Sequence, residues 1–346
     1  MKKFLLFVGM ILIVLTACNR QEAGIDISQI HFRIQSPYGN HYLTGKDIPF
    51  EATDDNGNDI TPSVRFAVNG QSVGGSSYRF PSAGDYTVTA TWDLGGGATV
   101  TADDTIHAHV IDPRSQTRVL IEDFTGTWCV NCPRVIYHLE QAMQQVPGIV
   151  PVAIHNRGYN TDPFHFNGVE TLASEYGINA YPTPLINRTE VWDETTGHVQ
   201  QYLQKIVPLG ISVSNRLNGN QWDITVNVRF DMDLPRDTLR LVVFVTEDGL
   251  HADQANTTSY YGGQNPIPNF EHNHVLRHSF TDPLGDAIPQ AQQAFDNEYT
   301  WTYSGPVPAA VSDPANMRVT AFVVRGTSQA KTVNVNEVNV NEDADY

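Results

Sequence analysis

Positive charge and cysteine are both scarce in this sequence of 346 residues. It has 21 Lys and Arg residues against 38 Asp and Glu residues, and its formal net charge is −17. Nucleic-acid binding requires clustered positive charge that neutralises phosphates, so this composition argues against it. A net negative charge otherwise gives little information about function, because it is common on protein surfaces and favours solubility. Cysteine is limited to Cys18, Cys129 and Cys132.

Long apolar runs are missing as well, apart from one near the N-terminus. Lys2 and Lys3 precede the apolar stretch 4–15, which is shorter than the roughly 20 residues of a membrane-spanning helix. A basic start, a short apolar stretch and small residues before the cut are typical of a secretion signal. We therefore interpret residues 1–17 as a signal peptide and residues 18–30 as a polar tether. A secreted chain reaches an oxidising compartment.

The segment that ends this leader, Leu15-Thr16-Ala17-Cys18, resembles a bacterial lipobox. In a lipobox the cysteine becomes the lipid-bearing first residue of the mature protein. The resemblance implies that Cys18 is the lipid attachment site and that the chain is anchored to a membrane without crossing it. The alternative is an ordinary signal peptide that contains a cysteine by chance.

In two parts of the chain, the sequence predicts short β-strands separated by turn residues. In residues 31–113, the stretch 84–92 places Tyr86, Val88 and Ala90 on one face and threonines on the other, as in a half-buried strand. This pattern predicts an immunoglobulin-like β-sandwich. Residues 208–346 return to alternating strands and predict a second β-sandwich, which a loop-rich insert interrupts at about 248–315.

Between these two parts, residues 114–207 alternate strands with helices. An apolar strand at 118–124 precedes the cysteine pair, and an amphipathic helix follows it. A second apolar strand at 148–155 and a second helix at 168–177 come next. Strand and helix in alternation predict an α/β domain. The expected fold class is therefore an α/β domain flanked by two mainly-β domains.

The pair Cys129 and Cys132 allows three interpretations. A zinc site needs four ligands, and here His155 or His165 would have to complete a single pair of cysteines. A structural disulfide across so short a loop restrains the unfolded chain only weakly. A reactive pair requires its first sulfur at a helix N-terminus, where free N–H groups and the helix dipole stabilise a thiolate. The order strand, Cys-x-x-Cys and helix favours the reactive pair.

Two motifs resemble the thioredoxin-like thiol–disulfide oxidoreductases. "EDFTGTWCVNCP" follows their strand and Trp-Cys-x-x-Cys pattern, and "YGINAYPTPLI" follows their Tyr-Gly-Ile segment with its Pro-Thr. The resemblance implies an α/β thioredoxin-like domain in which the bond before Pro182 is cis and the proline packs against the disulfide. Tyr181 and Thr183 would then bind an extended peptide substrate by strand-like pairing.

The same resemblance implies a role for each residue of the pair and its surroundings. Cys129 would attack a substrate disulfide, and Cys132 would resolve the mixed disulfide. Asp123 would move a proton to or from the inner thiol, although Glu122 beside it competes for this role. Trp128 would shield the pair, or it would merely pack against its neighbours.

The arrangement from about residue 115 to residue 346 resembles a narrower group, the twenty-eight-kilodalton outer-membrane-protein family of bacterial lipoproteins. The lipobox, "YPTPLINR" at 181–188 and "HNHVLR" at 272–277 carry this resemblance, which implies an outer-membrane location and little defined chemistry. His272 and His274 would share one face of a strand as a two-imidazole metal site. Structural or hydrogen-bonding histidines are far commoner, so we expect no metal.

Two hypotheses for function follow. The first is a membrane-anchored thiol–disulfide oxidoreductase that needs no cofactor and acts on disulfides or thiols of exported proteins, with an unknown redox partner. The second is an outer-membrane surface lipoprotein that acts as an adhesin or receptor and in which the cysteine pair is only a structural disulfide. We predict the first, with Cys129, Cys132, Pro182 and Asp123 as catalytic residues.

Overall fold

The structure, a computed structural model, describes residues 27–158 and 162–346. The predicted leader and the lipid-bearing Cys18 lie outside these residues. The described residues contain three α-helices: α1 (Cys132–Gln145), α2 (Val169–Tyr176) and α3 (Thr196–Leu203). None of the helices in these ranges has the length and apolar character of a membrane span.

The first part of the described chain consists of short strands. They are β1 (Phe32–Gln35), β2 (His41–Leu43), β3 (Asp47–Pro49), β4 (Glu51–Asp54), β5 (Val64–Val68), β6 (Gln71–Ser72), β7 (Ser77–Arg79), β8 (Gly84–Gly95), β9 (Ala98–Thr101) and β10 (Ile106–Ile111). Strands β2, β10, β8, β5 and β6 form one sheet in this order, and β9 pairs with β8. The pairs β1–β4 and β3–β7 form two small sheets. Phe32, Tyr42, Phe50, Phe66 and Phe80 are fully or almost fully buried in the core of this part.

The remaining strands follow from residue 119 onward. They are β11 (Val119–Thr125), β12 (Ile149–His155), β13 (Thr183–Ile186), β14 (Glu190–Val191), β15 (Leu209–Asn218), β16 (Gln221–Phe230), β17 (Leu239–Glu247), β18 (Leu250–Gln254), β19 (Ile267–His272), β20 (Val275–Ser279), β21 (Asp286–Ala287), β22 (Glu298–Pro306), β23 (Met317–Arg325), β24 (Lys331–Asn339) and β25 (Asp343–Ala344).

A nine-stranded mixed sheet organises this second part. Its order is β14-β13-β11-β12-β20-β17-β23-β24, and β21 pairs with β17 at one side. Strand β12 runs parallel to β11 and also to β20, where Ala153 lies opposite Val275. The strands of the predicted α/β domain therefore continue directly into the strands of the C-terminal part.

The predicted fold class, an α/β thioredoxin-like domain flanked by two mainly-β domains, is wrong. The described chain is mostly β-sheet, and no separate α/β domain is evident in it. Strand β12 carries apolar side chains on both faces, as expected of a buried strand in an α/β domain. Its free edge instead pairs with β20, which lies about 120 residues further along the chain. Such long-range pairing is not visible in local periodicity.

The two faces of the large sheet are covered differently. Side chains of β11 with odd numbers, such as Val119 and Ile121, pack under α1 and α3. Further along the same face, β17 and β23 pack against the four-stranded sheet β22-β16-β15-β25. Leu120 and Phe124 point to the other face, where α2 covers them. The result is a sandwich-like body with helices added at one end.

A buried ion pair links β11 to the strands of the C-terminal part in this sheet. The Arg188 guanidinium donates to both carboxylate oxygens of Glu122 at 2.7 and 2.8 Å, and both side chains are almost completely buried. Arg188 also lies over the rings of Tyr176 and Phe322, and it donates to the Pro283 carbonyl. One guanidinium therefore contacts β11, α2 and β23.

Breaking this pair on one side should destabilise the whole body. Arg188→Leu leaves the Glu122 carboxylate buried without a counter-charge, so we expect the free energy of unfolding in urea to fall by about 3–5 kcal/mol. The double variant Glu122→Leu/Arg188→Leu should recover most of this loss, because it leaves no unpaired charge. As a control, Arg65→Leu on the exposed surface should change stability by no more than about 0.5 kcal/mol. Equal losses in the single and the double variant would contradict this role of the pair.

Candidate functional site

The cysteine pair lies in the turn that joins β11 to α1. Cys129 and Cys132 form a disulfide, and α1 begins at Cys132 with Pro133 in its first turn. Cys129 precedes the helix, and its N–H donates to the Gly126 carbonyl at 3.0 Å. Cys129 is 4% exposed and Cys132 is fully buried. Cys129, the residue predicted to attack a substrate disulfide, is thus almost entirely buried.

The hairpin formed by β18, β19 and the loop between them, residues 250–272, contacts the cysteine turn. The Ala255 N–H donates to the Thr127 carbonyl at 2.8 Å, and the Thr257 N–H donates to the Val130 carbonyl at 2.9 Å. The amide of Gln254, itself fully buried, donates to the Cys129 carbonyl at 3.0 Å. These bonds hold residues 250–272, which we call the covering hairpin, against the backbone on both sides of Cys129.

Aromatic side chains extend the contact from the covering hairpin onto α1. The Tyr260 ring lies 4.7 Å from that of Tyr137, and its hydroxyl is 2.9 Å from the His138 imidazole. The Tyr261 hydroxyl donates to the Glu140 carboxylate at 2.8 Å. Sequence analysis missed these residues because they lie in the loop-rich insert, more than 120 positions after the cysteines. The run Tyr-Tyr-Gly-Gly in that insert is the local signal that could have drawn attention to it.

The predicted substrate-binding residues lie beside the cysteine turn. The Tyr181–Pro182 peptide bond is cis, and Thr183 lies opposite Phe124 at the end of β11. Trp128 contacts the Tyr181 ring at 5.5 Å, and its indole N–H donates to the Asn156 carbonyl at 2.9 Å. The Thr183 hydroxyl donates to the Ala180 carbonyl. The structure brings these residues to one end of the sheet, and their roles in substrate binding stay predictions.

The two candidate acids of β11 point to opposite faces. Glu122 is engaged by Arg188, whereas Asp123 points towards α1 and lines a cavity of about 330 Å³ together with Ile136, Leu139 and His274. Among the described residues, no hydrogen-bond donor contacts the Oδ1 atom of Asp123. Burial raises the pKa of Asp123 to about 7; the nearby Glu194 carboxylate adds to this shift and Arg134 opposes it. Glu122 is thus paired and Asp123 is not, and the proton-transfer role of Asp123 stays a prediction.

Two of the histidines considered as metal ligands, His155 and His272, pack against each other. The Nδ1 atom of His155 lies 2.9 Å from Asp162, and its ring packs against that of His272. His274 adopts a left-handed backbone conformation in the turn after β19, so it does not share a strand face with His272. Burial lowers the pKa of His272 to about 3 and that of His274 to about 4. Residues 27–158 and 162–346 contain no group of three His, Cys, Asp or Glu side chains arranged for a metal ion.

Comparison with known proteins gives a family and a fold. A family model described as "Outer membrane protein Omp28" matches residues 169–344. The structure of HBP35 of Porphyromonas gingivalis is similar with a TM-score of 0.52 and 16% identity, over 67% of this chain and 77% of that one. A domain of the outer membrane lipoprotein Omp28 from Porphyromonas gingivalis covers 40% of this chain and 91% of its own at 17% identity, with a TM-score of 0.27.

The first of these structures supports the fold alone, and the second is too distant to carry an argument. No curated protein sequence matches the chain significantly. The family match begins at Val169, after the cysteine turn, but it includes Arg188 and the covering hairpin. The comparisons therefore bear on the β-rich body and not on cysteine chemistry.

The buried Asp123 should make stability depend on pH. Its carboxyl ionises near pH 3.8 in the unfolded chain and near pH 7 in the folded protein, so the folded state favours the protonated form. The protonated Asp123 carboxyl therefore contributes fully to the stability of the folded state below about pH 4, and this contribution is lost as the pH rises through 7. Asp123→Asn should therefore unfold like wild type at pH 4 and be more stable at pH 8, by roughly 4 kcal/mol in urea. Asp85→Asn, at an exposed carboxylate, serves as the control; a loss of stability in Asp123→Asn at pH 8 would contradict the assignment.

Proposed function

Because the chain belongs to the Omp28 family of outer membrane proteins, we propose that it acts as a receptor or adhesin in which the Cys129–Cys132 disulfide is a structural clip. We infer that the protein is a lipoprotein anchored in the outer membrane by its lipid, because the family is one of outer membrane proteins and the leader ends in a lipobox-like segment. Attachment of that lipid to Cys18 belongs to the proposal, because this residue lies outside the described ranges.

The closure of the cysteine turn is the observation that carries the proposal. A thiol–disulfide catalyst must expose its attacking sulfur, since exchange proceeds through direct contact between the sulfur atoms. Here Cys129 is 4% exposed and the covering hairpin contacts the carbonyls of Thr127, Cys129 and Val130. The disulfide joins the turn after β11 to the first residue of α1, next to the backbone that this hairpin contacts. In that position it fixes the turn that the hairpin contacts.

The β-rich body suits a binding role. Its sheets provide a rigid scaffold, and connecting segments between strands are the usual location of binding residues. The part from about residue 209 onward consists almost entirely of strands and the loops between them. We expect binding to use such loops and clefts, with the disulfide acting only through stability.

Thiol–disulfide exchange is a second candidate, and one observation favours it. Trp128, Tyr181 and the cis Pro182 lie beside the cysteine turn, and the free Oδ1 atom of Asp123 lies under α1. In this case the reduced Cys129 thiolate would attack a substrate disulfide and release one substrate thiol. Cys132 would then displace the second thiol and restore the Cys129–Cys132 disulfide. The covering hairpin would have to move away first.

A redox titration of the lipid-free body distinguishes the two functions. For a structural clip we expect a reduction potential below about −300 mV and no catalysed reduction of insulin by dithiothreitol. Thr257→Pro removes the N–H that contacts Val130, so this variant should be reduced faster than wild type by a small phosphine. Cys129→Ser controls for background turnover. A potential above about −270 mV, together with insulin reduction that Cys129→Ser abolishes, would contradict the clip and establish the second candidate.

A further inference from the structure

Lysine is distributed in an unusual way in this protein. The whole sequence contains five lysines, and two of them, Lys2 and Lys3, belong to the predicted leader. The other three, Lys46, Lys205 and Lys331, come from the N-terminal sheets, the segment after α3 and the start of β24. All three line the same cleft. Every lysine of the described residues thus lies at one place, although the net charge of the whole chain is −17.

The cleft lies between the N-terminal sheets and the body and is large enough for a small molecule. Its volume is about 600 Å³, and Arg79 and Arg325 line it together with the three lysines, whereas Asp47 is the one carboxylate among its lining residues. A second cavity of about 290 Å³ shares Lys205 and Lys331 with it. Small-molecule sites typically occupy about 300–1,000 Å³. The two cavities together form one continuous basic surface, which we call the lysine cleft.

The positive charge of the lysine cleft is only partly compensated by the protein. Arg79 pairs with Asp47, and Arg325 pairs with Asp237 at 2.8 Å. In the described part of the chain, none of the three lysines forms an ion pair. The Lys46 ammonium donates to the Ile206 carbonyl at 3.3 Å, and the Lys205 ammonium lies 3.5 Å from the centre of the Tyr202 ring. Both contacts leave further N–H donors of these lysines free for a ligand.

The cations of the lysine cleft also repel one another. Burial lowers the pKa of Lys46, and the neighbouring Arg325 lowers it further, against the opposing effect of Asp237 and Asp47. Burial likewise lowers the pKa of Lys205, with Lys331 adding to the shift and Glu190 opposing it. Like charges held together in this way cost folding free energy, and a bound anion would recover it.

We propose that the lysine cleft binds a ligand that carries two or more phosphate groups. The three lysines enter from separate elements, so they can contact separate anionic groups across the two cavities. Lysine is a common phosphate ligand because its ammonium acts as a compact point charge with three donors. The proposed ligand class applies to the receptor function proposed above, and its biological meaning rests on that function. It does not depend on the chemistry of the disulfide.

Calorimetric titration of the lipid-free body with inorganic pyrophosphate at low ionic strength tests the site. We expect saturable binding at one site that weakens as salt is added, and a rise in melting temperature on binding. The triple variant Lys46→Gln/Lys205→Gln/Lys331→Gln should bind about a thousandfold more weakly, since each of the three lost charge-assisted contacts costs about tenfold. Without ligand it should melt no lower than wild type, because it removes repulsion.

A matched control removes three cations elsewhere. Arg65→Gln/Arg216→Gln/Arg236→Gln changes the net charge equally at exposed ion pairs and should bind pyrophosphate like wild type. Flotation with phosphatidylethanolamine vesicles, with and without the diphosphorylated lipid A, identifies the source of the phosphates. Vesicle binding that requires lipid A and the three lysines indicates a membrane headgroup, and binding of pyrophosphate alone indicates a soluble ligand. The proposed site would be overturned if the wild-type protein bound neither pyrophosphate nor vesicles, or if both triple variants bound pyrophosphate equally weakly. The redox titration would still decide the role of the disulfide in either case.

Discussion

The buried pair of Glu122 and Arg188 is the interaction on which the arrangement of the large sheet depends. It lies where β11, β13 and α2 meet the aromatic face of β23, so both ends of the sheet contact the same guanidinium. A charge pair in a fully buried place is stable only when both partners are present and well bonded, and here the guanidinium donates to both carboxylate oxygens. The α-helical segments and the β-rich part consequently form one body.

That single body explains why the cysteine turn is closed. In an independent α/β domain, the turn between β11 and α1 would face solvent. Here β20 pairs with β12 and brings the preceding strands β18 and β19 next to the turn, where Gln254, Ala255 and Thr257 hydrogen-bond to its carbonyls. Sequence motifs that are associated with exchange chemistry are thus present in a setting where Cys129 is buried. This burial is the physical basis for the proposal that the protein binds a partner rather than catalyses exchange.

Local features of the fold could be predicted from the sequence, and long-range pairing could not. Apolar periodicity located the strands at 119–125 and 149–155 and the helix after the cysteines to within a few residues. The cis bond before Pro182 also agrees with the motif that contains it. The choice between Glu122 and Asp123, the covering hairpin and the lysine cleft each depend on residues far apart in the chain. Periodicity carries no information on such contacts.

The central claim is that the covering hairpin stays closed over the disulfide in the folded protein. Native-state hydrogen exchange at the Ala255 and Thr257 amides measures this directly, because both N–H groups donate to the cysteine turn. We expect that the free energy of opening measured at these two amides approaches the free energy of global unfolding. Exchange with an opening free energy near zero, while core amides of β11 and β17 stay protected, would show an open hairpin and would contradict the claim.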